Sequence, residues 1–119
     1  MPLETTHGAF NGPYTAYVRW IKWLASQFDI YLSTMEGFSN DNCVPGRRRW
    51  EVVDDDIKIL LMQPLGDGKI GPHDCRKVAD RLTSLLRKIP NDHEWHHTTV
   101  EFRDGLMTAY TLDETLYYR

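Results

Sequence analysis

The sequence predicts a mainly α fold, a single domain of about four helices over residues 1–119. Apolar residues recur at helical spacing in separate segments, and proline stands at the start of two of them, where its missing N–H is tolerated. With 41% hydrophobic and 26% charged residues, the composition is that of an ordinary globular domain. A chain of 119 residues can form one hydrophobic core but is short for two.

The first helix is predicted over residues 14–27, directly after Pro13, because apolar residues recur there every three or four positions. Residues 1–12 contain turn formers without periodicity, which predicts an irregular arm. Residues 30–35 alternate weakly and predict a short strand or an extended linker. Residues 36–46 are dense in turn formers and predict a loop.

A helix–loop–helix is predicted for residues 57–89. Its first helix carries apolar residues to Leu61 and ends at Pro64 and Gly66, and its second begins at Gly71 and Pro72. The second helix has the most regular apolar face in the chain, which we expect to be core: Cys75, Val78, Ala79, Leu82, Leu85, Leu86 and Ile89.

A fourth helix is predicted after the break at residues 90–92. Its apolar side comprises Trp95, Phe102, Leu106, Ala109 and Tyr110. The β-prone residues at the end of the chain, 115–119, predict a short terminal strand.

The loop between the second and third helices has half of a calcium-binding EF-hand signature. Asp67 and Gly68 would occupy its fifth and sixth positions and Ile70 its eighth, where an apolar residue enters the core. At the first and third positions, which should supply oxygen ligands, stand Gln63 and Leu65. The loop therefore keeps the shape of the motif better than its chemistry. The alternative calcium ligands are Gln63, Asp67, the Lys69 carbonyl and Asp74.

A family resemblance is carried jointly by three segments: STMEGFS (33–39), LLMQPLGDGKIGPHDCRKVADRL (60–82) and TVEFRDGLMTAYTLDETLYYR (99–119). They resemble a family of small uncharacterised bacterial proteins with a Met-x-Gly-Phe segment and an EF-hand-like Asp-Gly helix–loop–helix. The resemblance implies that this chain shares the fold of that family. It implies no activity, because none is known for the family. Where that family has an acidic residue at the third loop position this chain has Leu65, and Gly66 replaces a cysteine.

Residues 93–97, HEWHH, match the H-E-x-x-H pattern of zinc hydrolases, in which two histidines one helical turn apart bind the metal. The alternative zinc site comprises Glu94 as the catalytic base and His93, His97 and Glu101 as ligands. On a helical wheel the histidines lie nearly opposite Trp95 and Phe102, so they should face water if those residues are core. We therefore expect no catalytic residue, no metal and no cofactor.

Trp20 and Trp23 indicate a binding surface for a protein partner or for self-association. On the helical wheel Trp20 lies at the flank of the predicted core face of the first helix, and Trp23 lies nearly opposite that face. The predicted core face consists of Tyr14, Val18, Ile21, Ala25 and Phe28. Tryptophan is enriched at protein interfaces. In the alternative interpretation, the N-terminal arm folds back over both side chains through Leu3 and Phe10.

Charge and composition limit the kinds of partner that the chain is expected to bind and indicate its compartment. The net charge of −3 gives no general attraction to nucleic acid or to an anionic membrane. The basic residues 47–49 beside Trp50 are offset by Glu51 and by residues 54–56. Two cysteines make no disulfide framework, and no apolar run is long enough to cross a membrane, which favours the cytoplasm.

Together these features favour a non-enzymatic protein-binding domain, such as an inhibitor, an immunity-type protein or an adaptor of bacterial or phage origin. The alternatives are a zinc-dependent hydrolase and a degenerate calcium-binding module.

Overall fold

The computed structural model of the chain describes residues 2–40 and 42–119, and it shows a mainly helical protein with small antiparallel sheets. Met1 of the predicted arm and Asp41 of the predicted loop lie outside the described residues. The α-helices are α1 Tyr14–Gln27, α2 Lys58–Leu61, α3 Pro72–Leu86 and α4 His96–Thr111. The strands are β1 Pro2–Glu4, β2 Asn11–Pro13, β3 Lys69–Ile70 and β4 Leu116–Tyr117.

Helix α1 has the predicted bounds, but its core face is rotated from the prediction. The buried residues are Tyr17, Trp20, Ile21, Leu24 and Ala25. Val18, which the helical wheel placed toward the core, is 37% exposed. The rotation arises because the N-terminal arm and α4 both pack on the side of the helix that carries Trp20.

The prediction of an irregular N-terminal arm is wrong. β1 pairs antiparallel with β2, and a 3-10 turn at Thr6–Gly8 lies between them. The Thr5 hydroxyl accepts a hydrogen bond from the Phe10 backbone N–H at 2.9 Å. The turn formers of this segment therefore mark a hairpin.

The segment before α2 is less helical than predicted. Residues 50–52 form a 3-10 turn, and α2 itself has four residues. The Asp55 carboxylate accepts hydrogen bonds from the Ile57 backbone N–H and from Arg81, both at 3.0 Å, which fixes the turn ahead of α2. Residues 30–35 likewise contain a 3-10 turn, at Leu32–Thr34, in place of a strand.

Helices α3 and α4 pack along each other more extensively than any other pair of elements. The predicted α3 face is buried from Cys75 to Leu85, whereas Leu86 and Ile89 are half-buried. The buried residues of α4 are Thr99, Phe102, Gly105, Leu106 and Ala109. Gly105 allows the backbone of Ala9 to approach α4 closely. A Cβ added at position 105 would lie 2.6 Å from the Ala9 Cα. Tyr110 is 39% exposed because its ring lies against the Arg76 guanidinium of α3, not in the core.

The predicted terminal strand is confirmed and joins the two ends of the chain. β4 pairs antiparallel with β3, and Tyr118, just beyond β4, forms a bridge with Thr5. The Tyr118 hydroxyl lies 2.7 Å from the Tyr17 hydroxyl in the core. No helix within residues 2–40 and 42–119 has both the length and the apolar character needed to cross a membrane.

Stability should fall at alkaline pH because this core holds ionisable groups in their neutral forms. Burial raises the pKa of the Cys75 thiol from 9.0 to about 11, and it also raises the pKa of Tyr17. The folded chain thus holds these protons more tightly than the unfolded chain. Their contribution to stability is complete below pH 9 and is lost as pH rises through the raised pKa values.

Denaturant unfolding at a series of alkaline pH values checks this prediction. Cys75→Ala and Tyr17→Phe should each flatten the dependence of unfolding free energy on pH, whatever they do to stability at neutral pH. A free energy that stays constant from pH 9 to pH 11 would contradict the prediction.

Candidate functional site

An apolar cleft lies between α1, the turn at Leu32 and the loop after α2. Its inner wall consists of buried side chains: Tyr17, Ile21, Leu32 and Leu61. Its mouth consists of exposed or half-buried ones: Val18, Lys22, Phe38, Gln63 and Leu65. The cleft has a volume of about 100 Å³. We call it the α1 cleft.

A wider and more polar groove of about 290 Å³ lies beside the α1 cleft. Lys22, Leu32 and Phe38 line both, so the two are adjacent, and we call them together the depression. The additional lining residues of the wider groove are Ile30, Tyr31, Ser33, Ser39 and Asn40. Tyr31 is 61% exposed and forms part of its wall.

Local backbone structure brings Leu32 and Phe38 to α1. Helix α1 ends where Asp29 takes a left-handed conformation with a φ of 58°, and the Ile30 N–H then bonds to the Ala25 carbonyl at 2.9 Å. This reversal returns the chain along the helix. A further turn at Gly37, with a φ of 86°, precedes Phe38, whose ring packs against Trp50 at a centroid distance of 6.1 Å.

The loop that carries Gln63 and Leu65 is held by hydrogen bonds from the Gln63 amide. Its Nε2 donates to the Ile59 carbonyl at 2.8 Å, and its Oε1 accepts from the Lys69 backbone N–H at 2.9 Å. The oxygen that the calcium alternative requires as a ligand is therefore engaged within the loop.

Gly68 departs from the expected EF-hand geometry. Its φ does not lie in the left-handed region, the conformation for which a turn most often needs glycine. Glycine is needed for a different reason: a Cβ at this position would lie 2.8 Å from the ring of Tyr118. The loop is thus shaped by its contact with the C-terminal residues.

The protein should be indifferent to calcium. Gln63 is already bonded to Lys69, and Leu65 offers no side-chain oxygen, so too few ligands remain for a cation that takes six to eight. Calcium at a hundredfold excess over its dissociation constant would add about 2.7 kcal/mol of stability. We expect no difference between thermal melts in calcium and in chelator. A rise in melting temperature that Asp67→Asn removes would contradict this.

The structure does not form the helical zinc motif of residues 93–97. Helix α4 begins at His96, so His93 lies in the preceding turn, where its Nδ1 accepts a hydrogen bond from the Trp95 backbone N–H at 3.1 Å. His97 lies 2.9 Å from Glu101 and is exposed. Glu94 is exposed as well. Among the described residues, no group of three or more His, Cys, Asp or Glu side chains could hold a metal ion.

Trp20 cannot be part of a binding surface, because its side chain is completely buried. Its ring stacks on Phe10 at 6.5 Å and packs on Phe102 at 5.0 Å, and its Nε1 donates to the Thr99 hydroxyl at 3.1 Å. The alternative, in which the N-terminal arm folds back over both tryptophans, therefore holds for Trp20 through Phe10. Trp23 is half-buried, with its ring 4.9 Å from that of His93.

The basic segment 47–49 also lacks a base-stacking aromatic. Trp50 is 5% exposed, and its Nε1 donates to the Glu36 carbonyl at 3.2 Å. Arg49 pairs with Glu51 at 3.4 Å on the surface. This segment therefore presents no exposed platform for single-stranded nucleic acid.

Comparison with protein-family profiles, curated proteins and solved structures gave no match, so the resemblance described above stays a prediction. The α1 cleft was not predicted from the sequence. One signal for it was present, since Leu65 is an apolar residue at a loop position where a polar one is expected.

Proposed function

We propose that this chain is a non-enzymatic protein-binding domain whose α1 cleft accepts an apolar side chain of a partner protein. One observation carries the proposal: Val18, Phe38 and Leu65 surround a cleft with an apolar inner wall, and they leave its mouth open to solvent. Burial of such surface is the main favourable term in protein association.

The size of the cleft favours a side chain over a free small molecule. Sites for drug-sized ligands measure about 300–1,000 Å³. An apolar cavity of about 150 Å³ holds a benzene molecule. The α1 cleft, at about 100 Å³, matches one bulky side chain, and the wider groove gives room for the backbone that carries it.

The loop after α2 supports the same proposal. We propose that residues 57–89 keep the helix–loop–helix order of an EF-hand and form a structural unit that does not depend on a cation. Gln63 and Leu65, the two residues that depart from the calcium pattern, both line the α1 cleft. Two positions that a calcium site would use for ligands thus lie at the mouth of an apolar cleft here. An inhibitor, an immunity-type protein or an adaptor would use such a surface.

A charge placed at the mouth of the α1 cleft should abolish binding without unfolding the protein. Val18→Asp would put a carboxylate beside the apolar lining, and Val18 is 37% exposed, so the folded state should tolerate the change. Val52→Asp is the matched control, because Val52 is 62% exposed and does not line the cleft.

The measurement is selection of short random peptides displayed on phage against the three proteins. Wild type and Val52→Asp should enrich the same peptides, and Val18→Asp should lose them while melting near wild type. Enrichment of the same peptides by Val18→Asp, or of none by wild type, would overturn the proposed function.

A further inference from the structure

The charge that lines the α1 cleft and the adjacent groove indicates which charge a partner should carry there. Lys22 is the one charged residue that lines either part of the depression, among the residues that the structure describes. It is exposed, and it takes part in none of the ion pairs found within residues 2–40 and 42–119.

Helix α1, which carries Lys22, forms the basic side of the depression in a chain whose net charge is −3. Helix α1 contains no acidic residue, and Arg19 lies three positions before Lys22, so both cations project from neighbouring positions of the helix surface. The segment facing α1 contains two acidic residues, Asp29 and Glu36, and neither lines the depression. The Glu36 carboxylate accepts a hydrogen bond from the Trp50 backbone N–H at 3.2 Å. The segment 61–65 carries no charge.

We infer that the partner of the α1 cleft is an acidic linear segment of another protein. In this arrangement a bulky apolar side chain enters the cleft beside Val18 and Leu65, and a neighbouring carboxylate of the same segment meets Lys22. The inference rests on the proposed function and adds the charge and form of the partner. Complementary charge at an interface rim selects partners and speeds their encounter.

The shape of the depression supports a linear segment. The narrow apolar end takes one side chain, and the wider groove carries polar residues at its wall, Ser33 and Ser39, suited to contact with a peptide backbone. Lys22 stands where the two parts meet. A carboxylate within a few residues of the apolar anchor can therefore reach it.

Charge reversal at Lys22 tests the inference with the same probe, short random peptides displayed on phage. Wild type should enrich peptides that combine a bulky apolar residue with Asp or Glu. Lys22→Glu should lose the preference for acidic residues and bind the wild-type peptides at least about tenfold more weakly, because repulsion replaces attraction. Higher salt should weaken wild-type binding more than binding by Lys22→Ala.

Lys88→Glu is the matched control, since it makes the same change in net charge at an exposed residue that lines neither part of the depression. It should enrich the same peptides as wild type. If wild type enriches neutral or basic peptides and Val18→Asp loses them, the inference of an acidic partner would be overturned, and the proposed function would be retained. A wild-type dimer that Val18→Asp dissociates, seen by sedimentation, would make a second copy the occupant and would also overturn the inference.

Discussion

Trp20→Ala is expected to destabilise the protein by about 3–5 kcal/mol, the usual cost of truncating a buried aromatic residue. The Trp20 side chain is 0% exposed, and it joins three segments of the chain. It contacts Phe10 of the arm and Phe102 of α4, and it donates to the Thr99 hydroxyl. Against a typical domain stability of about 5–15 kcal/mol, this loss would be a large fraction of the total.

Thermal and denaturant unfolding would measure the effect of Trp20→Ala. Trp20→Phe separates the two contributions, because it keeps much of the ring packing and removes the hydrogen bond to Thr99. Trp23→Ala is the matched comparison on the same helix. Trp23 is half-buried, so its truncation should cost clearly less. Equal losses in Trp20→Ala and Trp23→Ala would contradict the observed orientation of α1.

Tyr118→Ala is expected to cost a similar amount, about 3–5 kcal/mol, although the residue is next to last in the chain. Its ring packs edge-on against Tyr17 at a centroid distance of 5.7 Å and lies over Gly68. Its backbone N–H donates to the Gly68 carbonyl at 2.9 Å. Truncation would therefore loosen the loop after α2 and leave the Tyr17 hydroxyl buried without this partner.

Two variants act as controls for Tyr118→Ala in the same unfolding measurements. Tyr118→Phe keeps the ring and removes only the hydroxyl pair, so the expected cost is about 1–3 kcal/mol for an unsatisfied buried group. Tyr117→Ala changes the adjacent residue, which is 51% exposed, and should alter stability by about 0.5 kcal/mol or less. A Tyr118→Ala protein as stable as Tyr117→Ala would show that the C-terminal residues do not stabilise the core.

The helices that the sequence predicted well are those with regular apolar spacing. α1 has the predicted bounds, and α3 buries its predicted face from Cys75 to Leu85. Their side-chain periodicity is a local property, so it can be seen within one segment of sequence. The short α2 was overestimated because an acidic residue, Asp55, bonds to the backbone ahead of it and to Arg81 of α3.

The orientation of each element depends on contacts between distant residues. Val18 and Trp20 are both apolar, and the wheel alone placed Val18 inside and Trp20 at the flank. The structure reverses this because Phe10 and Phe102 surround Trp20, and neither lies near it in sequence. The HEWHH pattern implies a helix over residues 93–97, but α4 does not begin until His96.

By itself, the sequence determined that this chain is mainly helical, that its helices lie where the apolar spacing is regular and that a strand lies at its end. Only the tertiary structure decided which tryptophan is core, how the loop at Gln63 closes and where a cleft forms. The α1 cleft is formed by segments 17–22, 32–38 and 61–65, which are separated along the chain. Of the cleft residues only Leu65 stands out in its own segment, and the cleft exists only because packing brings the three segments together around a space that none of them fills.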